Sequence, residues 1–367
     1  MSAAAAKHLA QPPHRAGRVL VTGGAGFIGT NLAATLLDGG QPVLLYDNLS
    51  RPGVERNLEW LRGRYPAPQL QVTIADIRDR ERVREAVAQA SQVFHLAAQV
   101  AVTSSLDDPR ADFEVNLGGT VNVLEAMRAL EHPPSLLFTS TNKVYGGLED
   151  VGLEIAGNRY QPTDAEVRAH GIGESRPLDF HSPYGCSKGG ADQYVLDHVR
   201  SFGLPAALFR MSCIYGPHQC GNEDQGWVAH FLRRVLHGEP ITLYGDGRQV
   251  RDILYVDDLV DALQRAQAQM QHLSGHAFNI GGGPRNALSL LEVLQHIHAL
   301  TGRAPQLTRG PWRVGDQRYY VSDARAFAAA TGWSPKVDAV EGIARLHAWL
   351  AADLDAHAPA LARTHAA

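Results

Sequence analysis

Short apolar runs alternate with stretches of helical periodicity over the first two hundred residues. The first run, RVLVT at Arg18–Thr22, has the branched, continuous character of a strand buried on both faces. Apolar residues then recur at Phe27, Ile28, Leu32, Leu36 and Leu37, the interval of an amphipathic helix, and Gly39-Gly40 ends it. Further runs follow in PVLLYDN, which carries Asp47 at its end, in VTIADIRD, in QVFHLAAQ and at Leu136–Phe138. Strand alternating with helix predicts the α/β class with a parallel, doubly wound sheet. Beyond Lys188 the pattern is mixed, with one more buried run in LPAALFRMSCIYGP, and this predicts a smaller, mixed α/β C-terminal domain. The expected organisation is a flexible tail over 1–17 and a sheet domain over 18–200, with segments near 205–215 and 251–280 returning to it. A second domain takes 216–250 and 281–352, and a flexible tail takes 353–367.

Between the first strand and the first helix lie Gly23, Gly26 and Gly29, the spacing GxxGxxG. Glycine lets the backbone approach a pyrophosphate closely, and the free N–H groups at the helix start favour its charge. A strand before and a helix after make this a Rossmann-like, dinucleotide-binding turn. Asp47, about twenty residues on, suits the adenosine ribose hydroxyls and would repel a 2′-phosphate, so NAD is expected over NADP. Asp76-Ile77 ends another run and is placed to hold adenine. In QVFHLAAQ, Ala97 and Ala98 are small enough for a cofactor to lie close, while His95 is expected to be buried structure. The cofactor set read from these segments is Gly23, Gly26, Phe27, Ile28, Gly29, Asp47, Asn48, Asp76, Ile77, Leu96, Ala97, Ala98, Gln99 and Asn116, completed by Tyr184 and Lys188.

SPYGCSK places Tyr184 and Lys188 four residues apart, on one face of a helix. An ammonium beside a phenol favours phenolate, which can take a hydroxyl proton while hydride leaves the same carbon for nicotinamide. Thr141, at the end of the neighbouring strand, can hydrogen-bond the same oxygen. The candidate catalytic set is therefore Thr141, Tyr184 and Lys188. Tyr145, Tyr194 and Tyr215 lack a lysine at this spacing and are expected to be scaffold.

The chain has 367 residues, 44% hydrophobic and 20% charged, with a formal charge of −4. That balance offers no basic surface for nucleic acid. Cys186, Cys213 and Cys220 are too few and too irregularly spaced for a disulfide framework or a zinc site, which fits a reducing cytoplasm. No run is long and apolar enough for a membrane span, and Asp257-Asp258 has no third ligand nearby, so no metal is expected.

TGGAGFIG, HLAAQ, STNKVYG, YGCSK and RDILYVDD together resemble the extended short-chain dehydrogenase/reductase superfamily that acts on nucleotide sugars, over about Arg18 to Trp349. Within it, STNKVYG, ESRPLDFHSPYGCSKGGADQYVLD, EDQGWVAHF and RVGDQRYYVSD resemble the CDP-paratose 2-epimerase (CDP-tyvelose epimerase) family. The resemblance implies a nucleotide-sugar substrate gripped by Thr242 and Tyr244 at the base, by Arg251 and Arg313 at the diphosphate and by Asp316 at the ribose. In dehydratase relatives the two positions after the active-site threonine are Asp and Glu. Here they are Asn142 and Lys143. An amide does not titrate and an ammonium is a donor, so the eliminating machinery is missing while the oxidising machinery remains. What is left is oxidation at C2 to a ketone and re-reduction on the opposite face, with Asn142 and Lys143 holding sugar hydroxyls or phosphate. The oxidising residues would serve a 4-epimerase equally, and C2 comes from the resemblance alone. A binding protein without chemistry would be expected to have lost Tyr184 or Lys188. The long polar segment 147–182 is expected to cover the sugar pocket, and a homo-oligomer, dimer or tetramer, is expected.

Overall fold

A computed structural model of the chain describes residues 17–364, with side chains through 353. Seven strands form one parallel sheet, in the order Ala277–Ile280, Ala206–Met211, Ser135–Thr141, Ala90–His95, Arg18–Thr22, Val43–Asp47, Leu70–Ile74. The chain reverses its direction of travel across the sheet between Arg18–Thr22 and Ala90–His95. In such sheets the crevice at the carboxyl ends beside that reversal is where a dinucleotide fits. Successive side chains point to opposite faces, and both faces are covered. Val19, Val21, Leu45, Phe94 and Phe209 join one core, packed under the helices Phe27–Asp38 and Val256–Ala268. Leu20, Leu44, Val93, Phe138 and Leu208 join the other, under Arg80–Ala88, Gly119–Arg128 and Ser182–Phe202.

A third core, containing Phe231, Leu232, Ile241, Leu294 and Leu346, holds the smaller unit together. Its centre is the strand Val250–Tyr255, which pairs parallel with Cys213–Tyr215 and Tyr319–Tyr320 and antiparallel with Ala287–Ser289. The sequence pattern returned 251–280 as a whole to the large sheet. The strand Val250–Tyr255 instead stays in the small one, because both its faces are covered there. The return begins only with the helix that starts at Val256.

Two other expectations change. The segment 147–182 is a hairpin, Leu153–Ala156 with Arg159–Pro162, followed by the helix Ala165–His170. Arg159 binds Glu292 at 2.6 Å and Tyr160 Oη donates to Asp246 at 2.8 Å. These ties hold the segment against the small sheet, and no described residue of 147–182 lines either cavity discussed below. The final helix runs Ala339–Thr364, past residue 353, where a tail was expected. Leu346 and Leu350 anchor its first half, and the Ala- and Leu-rich sequence beyond them carries good helix formers. Of the expected N-terminal tail, residues 1–16 lie outside the described residues.

Candidate active site

Two cavities open at the carboxyl ends of the strands, of about 500 Å³ and 350 Å³. They share a wall made by Phe27, Ile28, Ser140, Tyr184 and Met211. The first is the dinucleotide-sized one, and the chain is shaped for it at the glycine turn. A Cβ on Gly29 would sit 2.3 Å from the carbonyl oxygen of Gly23, so only glycine allows the turn to fold this tightly. Gly23, Gly26, Phe27, Ile28, Gly29, Asp47, Asn48, Ile77, Leu96, Ala97, Ala98, Gln99, Tyr184 and Lys188 all line it. Asp47 is buried and accepts from Ala25 N at 3.0 Å and Leu49 N at 2.8 Å. Burial raises its pKa above the ordinary value and these backbone bonds oppose the rise. A tight glycine turn with a buried carboxylate acceptor beside it fits an adenine dinucleotide.

Two residues of the expected cofactor set are placed differently. Asp76 is not in the cavity lining. Its carboxylate binds Arg78 at 2.9 Å and Asn48 at 2.9 Å, and the Arg78 guanidinium holds it well below the usual carboxylate range. Arg78, rather than Asp76, faces the cavity. Asn116 is buried behind the wall. Its Oδ1 accepts from Gln99 N at 2.9 Å and its Nδ2 donates to Gln99 O at 3.1 Å, so it holds the lining without being part of it.

The second cavity collects every residue expected to meet substrate: Asn142, Lys143, Thr242, Tyr244, Arg251, Arg313 and Asp316, together with Thr141 and Tyr184. Its cations are held by local acceptors. Arg251 pairs with Asp316 at 2.6 Å, and Arg313 lies over the Tyr244 ring at 3.9 Å while pairing with Asp224 at 3.3 Å. Lys143 Nζ donates to Gly315 O at 3.0 Å, and burial, aided by Arg251, lowers its pKa to about 8. Asn142 is buried, with Nδ2 3.4 Å from Gln317 Oε1.

Tyr184 stands where the cavities meet. Burial pushes its phenol up to about 12, against the lowering effect of a hydrogen bond with Thr141. Lys188 Nζ donates to Thr139 O at 2.6 Å and lies over the Phe138 ring at 4.2 Å. Burial takes its pKa down to about 7. The sequence pattern led us to expect a phenol lowered by Lys188. Desolvation wins instead, and the cation that acts on Tyr184 is Arg51. Arg51 was missed from sequence. It lines the first cavity from the loop after Asp47, and its Nη2 donates to Gln225 Oε1 at 2.8 Å. The only local signal is one arginine in a polar loop, NLSRPG, which by itself reads as solvated surface.

A sequence model of the NAD dependent epimerase/dehydratase family matches residues 19–281. The chain belongs to that family. Among its relatives is the CDP-paratose 2-epimerase of Salmonella typhi, 41% identical over 339 residues, covering 90% of this chain and 98% of the relative. Similar folds include the UDP-glucose 4-epimerase of Thermus thermophilus in complex with NAD, 35% identical with a TM-score of 0.75, covering 91% of this chain and 99% of that one. The UDP-glucose 4-epimerase of Thermotoga maritima with UDP-glucose is 30% identical with a TM-score of 0.78, covering 92% and 99%. The protein is thus an enzyme of an NAD-dependent family. Among the described residues no helix is long and apolar enough to cross a membrane, and no cluster of His, Cys, Asp and Glu could hold a metal.

Proposed function

We propose that this enzyme is a nucleotide-sugar 2-epimerase acting on a CDP-hexose of the paratose/tyvelose type. The observation that carries the reading is the composition of the wall between the cavities. It holds Tyr184 and, on the substrate side, Thr141, but Asn142 and Lys143 in place of a carboxylic acid pair. NAD, when bound, supplies a hydride acceptor that becomes the donor for the return. Tyr184 takes the hydroxyl proton at the reacting carbon once it has given up its own, a loss that Thr141 and Arg51 favour against burial, and returns it at the end. Thr141 hydrogen-bonds the same oxygen. Lys143 stays largely protonated near neutral pH and donates to the substrate, as does the Asn142 amide. Arg251 and Arg313 exchange their carboxylate partners for diphosphate oxygens, for which guanidinium is suited. Position C2 and the cytidine base follow from likeness to the Salmonella typhi enzyme.

The test is incubation with a panel of CDP-, UDP- and dTDP-hexoses, scored by the carbon that inverts, with substrate deuterated at C2. Inversion at C2 with the label kept there in ordinary water is the expected outcome. Loss of label to water would refute hydride chemistry. Inversion at C4 would keep the chemistry and replace the assignment by a 4-epimerase.

A further inference from the structure

Behind the wall, outside both cavities, lies a carboxylate that the reaction as described does not use. Asp112 is 1% exposed. It sits where the helix Pro109–Phe113 passes through a wide π turn, Glu114–Gly118, before continuing as Gly119–Arg128. Such turns shift the register of a helix face and recur at functional sites. Here Asp112 and Asn116 stand side by side, with Asn116 Nδ2 donating to Asp112 Oδ1 at 3.1 Å.

We propose that Asp112 is a positioning residue, its buried carboxylate clamping the Tyr184–Lys188 turn to the cofactor-side loop and its charge acting on both groups. Three side chains donate to it. Gln99 Nε2 reaches Oδ1 at 3.0 Å, Asn116 reaches the same oxygen, and the Ser187 hydroxyl donates to Oδ2. Burial raises the Asp112 pKa above the ordinary value, and the donors from Ser187 and Gln99, with the nearby Lys188, act against that rise in favour of the carboxylate. Gln99 belongs to the loop that lines the cofactor cavity, and Ser187 lies between Tyr184 and Lys188 on the catalytic helix. One group therefore fixes the distance between the bound cofactor and the acid/base pair.

The charges around the pair leave Asp112 a distinct part. Asp192 and Asp112 both favour the charged form of Lys188, but Asp192 is engaged by Arg210 at 2.8 Å. No arginine pairs with Asp112 among the described residues. Arg110 and Glu114, on the same helix, pair with each other at 2.7 Å on its exposed side. Tyr184 is raised by burial and by Asp112, and lowered by Thr141 and Arg51. His95, the remaining titratable neighbour of Lys188, is neutral. Asp112 thus pushes the proton affinity of both members of the pair upward. Removing its charge lets both protons leave at lower pH, and the two macroscopic steps of the pair move together.

This inference rests on Tyr184 being the acid/base group, so Tyr184→Phe is measured alongside. In the NAD-loaded enzyme, Asp112→Asn is expected to move both limbs of the kcat–pH profile down by about one unit. Asp112→Glu, which keeps the charge, is expected to leave both limbs in place even if kcat falls. Ser187→Ala cuts the clamp but not the charge, and is expected to lower kcat roughly tenfold with KM and both limbs unchanged. Unmoved limbs in folded Asp112→Asn overturn the role of the charge. Should that variant not fold, Ser187→Ala with parental kcat overturns the clamp. An active Tyr184→Phe refutes the acid/base reading itself, whereas an inactive one beside unmoved limbs refutes this inference alone.

Discussion

His95 makes the enzyme lose stability in mild acid by an amount the structure lets us work out. It is fully buried, with Nδ1 2.7 Å from Thr22 Oγ1 and Nε2 3.1 Å from Thr120 Oγ1. Thr120 Oγ1 donates to Asn116 O at 2.6 Å, so it must accept from the imidazole Nε2–H. Thr22 Oγ1 accepts from Ala97 N at 3.2 Å and has its own proton left for Nδ1. Each proton in the chain is used once by the neutral ring, and a second ring proton would turn Thr22 Oγ1 into an acceptor and cost that hydroxyl its own acceptor, Nδ1. Burial and the nearby Lys188 accordingly lower the pKa from 6.5 to about 3. The folded value lies below the unfolded one. In the window between them the unfolded chain binds a proton that the native state refuses, so stability is unaffected above pH 6.5 and declines as pH falls. At about 1.4 kcal/mol per unit, the loss reaches about 2 kcal/mol at pH 5 and about 4 kcal/mol near pH 3, where the native ring itself takes up the proton. His95→Gln can keep one donor and one acceptor toward the same threonines without titrating. Urea unfolding of both proteins from about pH 7.5 to about pH 4.5 should give curves that diverge, the parent losing about 2 kcal/mol more by pH 5. The buried His218, also lowered, to about 4, is present in both and cancels. Parallel curves would refute the neutral, doubly bonded His95.

Asp47→Ala should weaken NAD roughly 10- to 100-fold and narrow its advantage over NADP, since a charge-assisted acceptor and a repelling charge leave together; calorimetric titration with both cofactors checks this, and an unchanged ratio removes the assignment. Gly29→Ala forces a methyl onto the Gly23 carbonyl, so it should cost roughly 1–3 kcal/mol of stability and release NAD on gel filtration, and full cofactor retention would contradict the turn geometry.

What could be read in the sequence was what local pattern encodes. Buried strands write themselves as branched runs, the glycine turn as a fixed spacing, and a helix face as i and i+4, which is how Tyr184 and Lys188 could be picked out; the substrate set came from the resemblance and lines the second cavity. Tertiary partnerships are not written that way. Arg51 looks like loop surface until the segment at Gln225 is folded over it, and Asp112 like one more acidic residue in a charged helix. Asp76 shows the converse. Its position at a strand end is right for a cofactor contact, but an arginine two residues on claims both oxygens. Asp258, which in sequence stands out only as half of an acidic pair, is buried and accepts from Lys336 N and Val337 N, seventy-eight and seventy-nine residues away. The phenol of Tyr184 failed for a different reason. Spacing brings a lysine near, but burial, which no spacing reports, outweighs it.

The pair at 142 and 143 ties these threads together. Elimination of water needs one group to give a proton and another to take one, and two carboxyls with divergent environments provide that. Asn142 has no titration at all. Lys143 has one, with its pKa lowered to about 8 by burial and Arg251, yet its Nζ is spent on the Gly315 carbonyl and lies 4.0 Å from Asp316. Both side chains are therefore turned toward the 315–317 segment, whose Asp316 also holds Arg251. A substrate that draws Arg251 away from Asp316 leaves that carboxylate beside Lys143, where it favours the ammonium and disfavours the free amine that a base would require. On the proposed reading, binding of the diphosphate and suppression of elimination are one electrostatic event, in a site that takes a hydride and a hydroxyl proton and gives both back.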